Sequence, residues 1–198
     1  SIAPPTSWRE LGQDQYESLV VVTNPNFSSP GLAFLATTHA GFETSAEVSD
    51  YWRSLNDNNL KVAAGWEDAY FVDFTRYGGD RPIVLSYASS PSAEVKEDGT
   101  PGSAALRTEC FRQIEYAGVL DNADNTPGAR AIVEFLLGDS FQASVPENMY
   151  VYPINKAIEV PEAWAKFAQP ADSLLGEASD INANRDQWFA DWSDVFDN

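Results

Sequence analysis

The chain has 198 residues, of which 43% are hydrophobic and 21% charged, a composition typical of a folded protein rather than a disordered one. Its 30 acidic and 12 basic residues give a formal net charge of -18, which argues against a nucleic acid or an anionic membrane surface as a partner. No apolar run approaches the roughly 20 residues that span a bilayer. The single cysteine, Cys110, excludes a disulfide within the chain; pairing with a cysteine outside these residues stays open, and we expect a buried free thiol.

Two Ser-Ser-Pro motifs, each following an apolar run, organise the first half of the chain. The run 19–23 predicts a strand, and the first motif, 28–30, predicts the start of a helix. The run 83–85 is apolar throughout, so we predict it as the central strand, covered on both faces, and the second motif, 89–91, as a helix start capped by Ser90. Because ligands bind outside the carboxyl ends of strands in open α/β sheets, the two motifs indicate a binding cleft.

Further helices and a strand are predicted between the two motifs. Thr44 and Glu47 have the spacing of a capping box and open an amphipathic helix. The run 60–63 predicts a short strand, and 65–76 predicts a single helix. Strand and helix thus alternate three times, which predicts an α/β fold with a mostly parallel sheet flanked by helices.

The second half of the chain is more varied. Residues 111–120 are predicted as a strand, and the spacing of apolar residues over 129–136 predicts an amphipathic helix. The aromatic stretch 145–154 is predicted to be extended, and 162–168 to be a short helix. An apolar stripe over 188–196 has helical spacing, so we predict a closing helix whose tryptophans are core residues.

Little in the sequence favours catalysis. His39 is the only histidine, and its place near a predicted helix end favours a surface imidazole stabilised by the helix dipole. No Cys/His cluster has the spacing of metal ligands, and no glycine-rich phosphate motif occurs, so neither a metal nor a cofactor is implied. Adjacent acids such as Glu67 and Asp68 do not supply the separation of about 5 Å or more that a glycosidase needs. We therefore predict that the chain is not an enzyme.

The aromatic residues are more informative. The chain contains six Trp, eight Tyr and eleven Phe, more than a core of this size requires. Trp66, Tyr87 and Tyr150 lie in or beside loops at predicted strand ends, unlike the tryptophans of the predicted helices. Three aromatic rings that converge on one cleft would bind a flat or cationic ring by stacking.

Four motifs resemble one family. NPNFSSPG (24–31), GWEDAY (65–70), LSYASSP (85–91) and the segment FQASVPENMYVYPI (141–154) occur in the order and spacing of thiamine-binding proteins, the extracytoplasmic solute receptors of ABC importers. Each motif is weak alone, and the four together are fairly specific. The similarity extends over nearly the whole chain.

This resemblance implies a type II periplasmic-binding-protein fold of two lobes. Residues 1–106 and 158–198 would form the second, C-terminal lobe, and 107–157 would cross to the first lobe, whose N-terminal part would precede Ser1. No signal peptide is recognisable, and the start of the sequence is typical of an internal cut. We therefore expect weak or no thiamine binding by these 198 residues alone.

The resemblance also implies a set of ligand-binding residues. Ser28 corresponds to a ligand-binding serine of the family, and Trp66 and Tyr87 to pocket aromatics. Tyr150 stands where the family has tryptophan, and Ala93 where it has a further tyrosine. Aromatic faces would hold the thiazolium cation of thiamine, and hydroxyls at helix N-termini would take its hydroxyl or phosphate tail. The predicted ligand-binding residues are Ser28, Ser29, Trp66, Tyr87, Ser90 and Tyr150.

The expected partners follow from the same resemblance: thiamine or a thiamine phosphate, and the permease and ATPase subunits of an ABC importer. The expected location is extracytoplasmic, in the periplasm or lipid-anchored at the outer face of the membrane, and the complete protein would be a monomer.

Two alternatives for the ligand and the class of protein remain open from the sequence. The same fold could bind a polyamine or another small cation through Glu67 or Asp68, or the exposed aromatic residues could belong to a carbohydrate-active protein.

Overall fold

The computed structural model of the chain describes residues 2–174 and 178–196, which form two structural units. The first unit contains the described residues up to Ala88, residues 106–112 and the described residues from Ala171 onward, and the second contains residues 89–105 and 113–170. Part of the predicted lobe segment 158–198 therefore lies outside the described residues.

The described residues form five strands and seven α-helices. The strands are β1 (Val20–Thr23), β2 (Lys61–Ala63), β3 (Ile83–Val84), β4 (Cys110–Phe111) and β5 (Ser173–Leu174). The α-helices are α1 (Ser29–Gly41), α2 (Ser45–Asp57), α3 (Trp66–Asp68), α4 (Thr126–Leu137), α5 (Asp139–Met149), α6 (Glu162–Phe167) and α7 (Ala178–Phe196).

A parallel sheet with the order β2-β1-β3 lies at the centre of the first unit. Val22 of β1 pairs with Val62, and Val20 pairs with Ile83. All four residues of β1 are buried, whereas both residues of β3 are partly exposed. The predicted parallel α/β arrangement is confirmed, but the prediction that 83–85 forms the central strand is wrong. In the described part of the chain β3 pairs with β1 alone, and β1 has a partner on each side.

Helix α1 begins where the first Ser-Ser-Pro motif predicts. Ser28 is its N-cap residue, and Pro30 lies in the first turn, where a missing N–H breaks no helical hydrogen bond. Gly31 allows this turn to pack directly on the end of β1. A Cβ atom at Gly31 would lie 2.5 Å from the carbonyl oxygen of Thr23.

The apolar core of the first unit forms between helices and the sheet. Helix α2 has the predicted capping box, in which Thr44 and Glu47 exchange hydrogen bonds between their side chains and backbone N–H groups. Its buried face is the predicted one, namely Val48, Tyr51, Trp52 and Leu55. The ring of Trp192 on α7 contacts Trp52 edge to face, with the ring centroids 6.0 Å apart. The predicted closing helix with a buried tryptophan is therefore confirmed.

The prediction of one helix over 65–76 is wrong. Helix α3 is a single turn that continues as a π-helical turn, Ala69–Asp73, and the chain becomes extended at Phe74. A 3-10 turn, Thr75–Tyr77, follows. The break has a physical cause, because the Thr75 N–H donates to the carbonyl oxygen of Arg81 at 3.0 Å, outside any helical pattern.

The second Ser-Ser-Pro motif forms only a 3-10 turn, Ser90–Ala93, and its N-cap residue is Ser89 rather than the predicted Ser90. The Ser89 hydroxyl caps no helix N–H group. It donates to the backbone carbonyl of Tyr150 at 2.9 Å. The predicted α-helix at this motif is therefore absent from the described structure.

Of the four predictions that remain for the second half of the chain, two are confirmed and two are wrong. Helices α4 and α6 form close to the predicted ranges. The predicted strand 111–120 does not extend beyond β4, which pairs in parallel with β5. The predicted extended segment 145–154 is also wrong, because α5 continues through Pro146 to Met149 and ends at Tyr150, whose φ is 56°.

Candidate ligand-binding site

Three of the predicted site residues follow strands of the same sheet. Because β1, β2 and β3 are parallel, the loops that follow them leave the sheet at one edge. Ser28 lies in the loop after β1, Trp66 after β2 and Tyr87 after β3. The Asn24 N–H donates to the carbonyl oxygen of Ala63 at 2.9 Å, which joins the first two loops at their bases.

Trp66 is partly buried and is held by two neighbours. Its indole N–H donates to the hydroxyl oxygen of Ser86 at 3.0 Å. The ring of Tyr70 stacks on the indole with a centroid separation of 4.6 Å and an interplanar angle of 22°. Tyr70 is only 4% exposed, so the stack anchors Trp66 to the interior of the unit.

Tyr87 lies beside Trp66, as the predicted aromatic cluster requires. The two ring centroids are 5.8 Å apart and the rings are inclined by 54°. Tyr87 is 40% exposed, so its ring is open to a ligand from solvent. Two of the three predicted aromatic residues are therefore in direct contact.

The aromatic cluster is larger than the sequence predicts. Phe71 contacts Trp66 edge to face at a centroid distance of 5.5 Å, and Tyr77 contacts Phe71 at 5.1 Å. Both rings are more than 40% exposed. Tyr70 follows Trp66 by four residues, so the helical i, i+4 spacing is a signal that could have identified it. Phe71 and Tyr77 depend on the π-helical and 3-10 turns, which no local pattern indicated.

Ser28 and Ser29 lie at the N-terminus of α1. Ser28 is partly buried, and its side chain makes no hydrogen bond that caps the helix. Ser29 is the exposed first residue of α1. The first backbone N–H groups of a helix have no partner within it and carry partial positive charge. Hydroxyl and N–H donors are therefore available here for a hydroxyl or an anionic group.

Ser90 and Tyr150 belong to the second unit. The Ser89 hydroxyl bond to the Tyr150 carbonyl connects the turn that contains Ser90 to the end of α5. Tyr150 is 53% exposed, so its phenol ring is accessible, and Ala93 is exposed in the same turn as Ser90.

The acidic residues beside Trp66 are exposed. Glu67 and Asp68 form the rest of the short helix α3, and both carboxylates face water. Within residues 2–174 and 178–196, no group of three or more His, Cys, Asp or Glu side chains is arranged to hold a metal ion.

His39 is not the surface imidazole that the sequence predicts. It lies in the last turn of α1, partly buried, and stacks on Trp188 with a centroid separation of 4.2 Å. Burial lowers the pKa of His39 to about 4, which the nearby Asp191 carboxylate opposes. The ring is therefore neutral at pH 7.

Cys110 is only partly buried, rather than buried as the sequence predicts. Burial, with the neighbouring Asp172 carboxylate, raises the pKa of the thiol above its ordinary value. This thiol is therefore protonated at neutral pH and is a poor nucleophile.

No described helix is both long and apolar enough to cross a membrane.

Curated relatives match nearly the whole chain. A thiamine-binding periplasmic protein of Brucella abortus is 29% identical over 192 residues, covering 96% of this chain and 56% of the relative. The protein of the same description from Escherichia coli is 26% identical over 191 residues, covering 96% of this chain and 57% of the relative. The chain thus spans little more than half the length of these relatives.

Solved structures share the fold. A periplasmic thiamin binding protein matches with a TM-score of 0.82 at 24% identity, over 98% of this chain and 59% of that protein. A Bordetella ferric binding protein matches with a TM-score of 0.63 at 20% identity, over 96% of this chain and 63% of that protein. The expected periplasmic-binding-protein fold is therefore confirmed.

The family model for bacterial extracellular solute-binding proteins matches residues 2–171. This family consists of solute receptors rather than enzymes, in agreement with the prediction from the sequence. Because the match covers most of the chain, the chain belongs to the bacterial extracellular solute-binding protein family.

Proposed function

We propose that the chain is part of an extracytoplasmic solute receptor that binds thiamine or a thiamine phosphate and delivers it to the permease and ATPase subunits of an ABC importer. The contact between Trp66 and Tyr87 at the carboxyl edge of the sheet carries this proposal. The similarity to thiamine-binding periplasmic proteins of Brucella abortus and Escherichia coli supports the choice of ligand and of an extracytoplasmic location.

The aromatic cluster suits the charged ring of thiamine. The thiazolium is a permanent cation, and an aromatic face attracts a cation by about 0.5–2 kcal/mol, depending on how far the pair is desolvated. Trp66 and Tyr87 offer two such faces within one contact distance. The formal charge of -18 also favours the approach of a cation over that of an anion.

The other end of the ligand needs hydrogen bonds. We assign Ser28 and Ser29 to this role, because both lie at the N-terminus of α1 and the side chain of the N-cap residue Ser28 makes no capping hydrogen bond. A hydroxyl tail would bond to the serine oxygens, and a phosphate tail would add the favourable helix dipole. Ser90 and Tyr150 are the further ligand-binding residues of this proposal.

The proposed receptor has two lobes that close on the ligand by a hinge, with the ligand in the cleft between them. The proposed boundaries are those expected from the sequence: 1–106 and 158–198 for one lobe, with 107–157 crossing to the other. The complete receptor is proposed to act as a monomer, and its chemistry requires binding and release without a covalent step.

Quenching of tryptophan fluorescence tests the proposal. Thiamine is titrated into the 198-residue chain and into the product of its complete reading frame, with spermidine and a neutral disaccharide as alternative ligands. We expect saturable quenching by thiamine in the complete product, because ring stacking on Trp66 perturbs its emission, and weak or no quenching in the 198-residue chain.

Matched variants identify the responding residue. Trp66→Phe should remove most of the quenching, whereas Trp188→Phe, on α7, should retain it. If only spermidine gave saturable quenching, the ligand would be a polyamine bound by Glu67 and Asp68. If only the disaccharide did so, the chain would belong to a carbohydrate-binding protein. Either result, or equal quenching in both variants, would contradict the proposal.

A further inference from the structure

Two residues without an assigned role hold Trp66 in one orientation. Ser86 accepts the indole N–H at 3.0 Å, and Tyr70 stacks on the ring at 4.6 Å. We propose that Ser86 and Tyr70 are positioning residues that present a single face of Trp66 to a ligand. This inference rests on the proposed function, because it specifies how the same site recognises its ligand.

The stack with Tyr70 determines which face is available. An aromatic ring has two faces, and the near-parallel contact with Tyr70, inclined by 22°, occupies one of them. Phe71 is inclined to Trp66 by 81°, so it contacts the indole edge to face rather than as a second parallel stack. A flat ligand ring can therefore stack only on the face of Trp66 opposite to Tyr70.

The hydrogen bond from Trp66 to Ser86 determines which part of the indole a ligand can use. An indole has one N–H and no other donor, and here that donor is already used. A ligand that needs a hydrogen bond from Trp66 would have to break the Ser86 contact. Recognition at Trp66 therefore goes through the π face, which suits a flat or cationic ring.

Both positioning residues are fixed to rigid parts of the unit. The residue before Ser86, Leu85, donates its backbone N–H to the carbonyl oxygen of Val21 at 2.9 Å, which holds Ser86 at the end of β3. Tyr70 is almost fully buried and contacts the buried ring of Phe74 at a centroid distance of 5.7 Å. The orientation of Trp66 is thus set before a ligand arrives, which reduces the entropy lost on binding.

The first test needs no ligand. The indole N–H resonance of Trp66 is assigned in the 198-residue chain by its loss in Trp66→Phe, and its exchange with water is measured. Ser86→Ala should speed that exchange about tenfold or more, and Ser86→Thr, which keeps the hydroxyl, should restore the slow rate. An exchange rate that is the same in Ser86→Ala as in the parent chain would overturn the positioning role of Ser86.

The second test measures thiamine affinity in a double-mutant cycle with the complete reading-frame product. Ser86→Ala should raise Kd about three- to tenfold in the parent protein and leave Kd unchanged in the Trp66→Phe background, where no indole N–H remains. The same increase in both backgrounds would show that Ser86 acts elsewhere and would overturn the inference.

The same cycle with Tyr70→Leu tests the stack. We expect Tyr70→Leu to raise Kd in the parent protein and not in the Trp66→Phe background, because the ring of Tyr70 fixes the indole of Trp66. A rise of equal size in the Trp66→Phe background would contradict the role of Tyr70. If no variant or parent protein binds thiamine, the proposed function fails, and the indole exchange rates still decide whether Ser86 positions Trp66.

Discussion

A single buried imidazole links acidity to the stability of the first unit. The folded state keeps His39 neutral, because its ring stacks on Trp188 and is partly buried, and this lowers its pKa to about 4. An unfolded chain binds a proton at this residue near pH 6.5. Since the unfolded state binds more protons between these values, stability is lost as the pH falls from about 7 toward 4.

Replacement of His39 by Gln isolates this effect. The full shift in pKa corresponds to about 3 kcal/mol, which we reduce to about 1–2 kcal/mol because the ring is partly exposed to screening water. Urea unfolding at pH 7 and pH 5 should show that the parent chain loses about 1 kcal/mol more stability than His39→Gln over this range. Equal losses in the two proteins would contradict the neutral, buried imidazole.

At the scale of residues, the sequence predicted that Trp66 and Tyr87 lie together, but not which groups hold Trp66 in place. Both residues directly follow predicted strands, and parallel strands bring their carboxyl ends to one edge, so their contact could be predicted. Ser86 is a different case. It is 20 residues from Trp66, and a side-chain hydrogen bond over that distance leaves no local pattern in the sequence.

Among the elements, α2 has a cap that can be tested directly. The Thr44 side chain accepts from the Glu47 N–H at 3.3 Å, and Glu47 accepts from the Thr44 N–H at 2.9 Å. Thr44→Ala should therefore lower the free energy of unfolding by about 1 kcal/mol. Ser45→Ala, at the exposed next position, should change it by less than about 0.5 kcal/mol. Chemical denaturation of both variants tests the cap, and equal effects would exclude it.

The junction between β1 and α1 provides a second test. A Cβ atom at Gly31 would lie 2.5 Å from the Thr23 carbonyl oxygen and 2.9 Å from backbone atoms of Asn24, so the helix would have to move. Gly31→Ala should cost about 1–3 kcal/mol, as overpacking does in other tightly packed sites.

A control for this substitution is Gly118→Ala, since a Cβ atom there meets no other atom within 4 Å. Thermal or urea unfolding should show little change for this variant. A Gly31→Ala protein as stable as the Gly118→Ala protein would mean that α1 does not start against the end of β1.

The elements that the sequence predicted well are those with a clear local period. The buried face of α2 repeats every three to four residues, and its cap is encoded at both positions. Helix α5 is a contrasting case. Its side chain Gln142 donates to the Leu136 carbonyl at 2.7 Å and accepts from the Ile154 N–H at 2.8 Å, which holds a helical segment through Pro146. Such contacts override the extended propensity of the aromatic and proline residues.

For the whole molecule, the sequence predicted the fold class but not the order of the strands in the sheet. Alternating strands and helices indicate a parallel α/β sheet, and this was confirmed. The strand order β2-β1-β3 depends on pairings between distant residues, so the pattern of 83–85 could not show that β1 is central. Likewise, the parallel pairing of β4 with β5 joins residues that are more than 60 positions apart, and with only two residues in each strand it leaves no pattern in the sequence.

The proposed function depends on thiamine stacking on the aromatic cluster at the carboxyl edge of the sheet. The most direct measurement is a calorimetric titration of thiamine into the complete reading-frame product and into two variants, Trp66→Ala and Trp188→Phe. Trp66→Ala should raise Kd about tenfold or more, since it removes the stacking face, while Trp188→Phe, on α7 and outside the aromatic cluster, should leave Kd unchanged. Thiamine binding with the parent Kd in the Trp66→Ala protein would contradict the account.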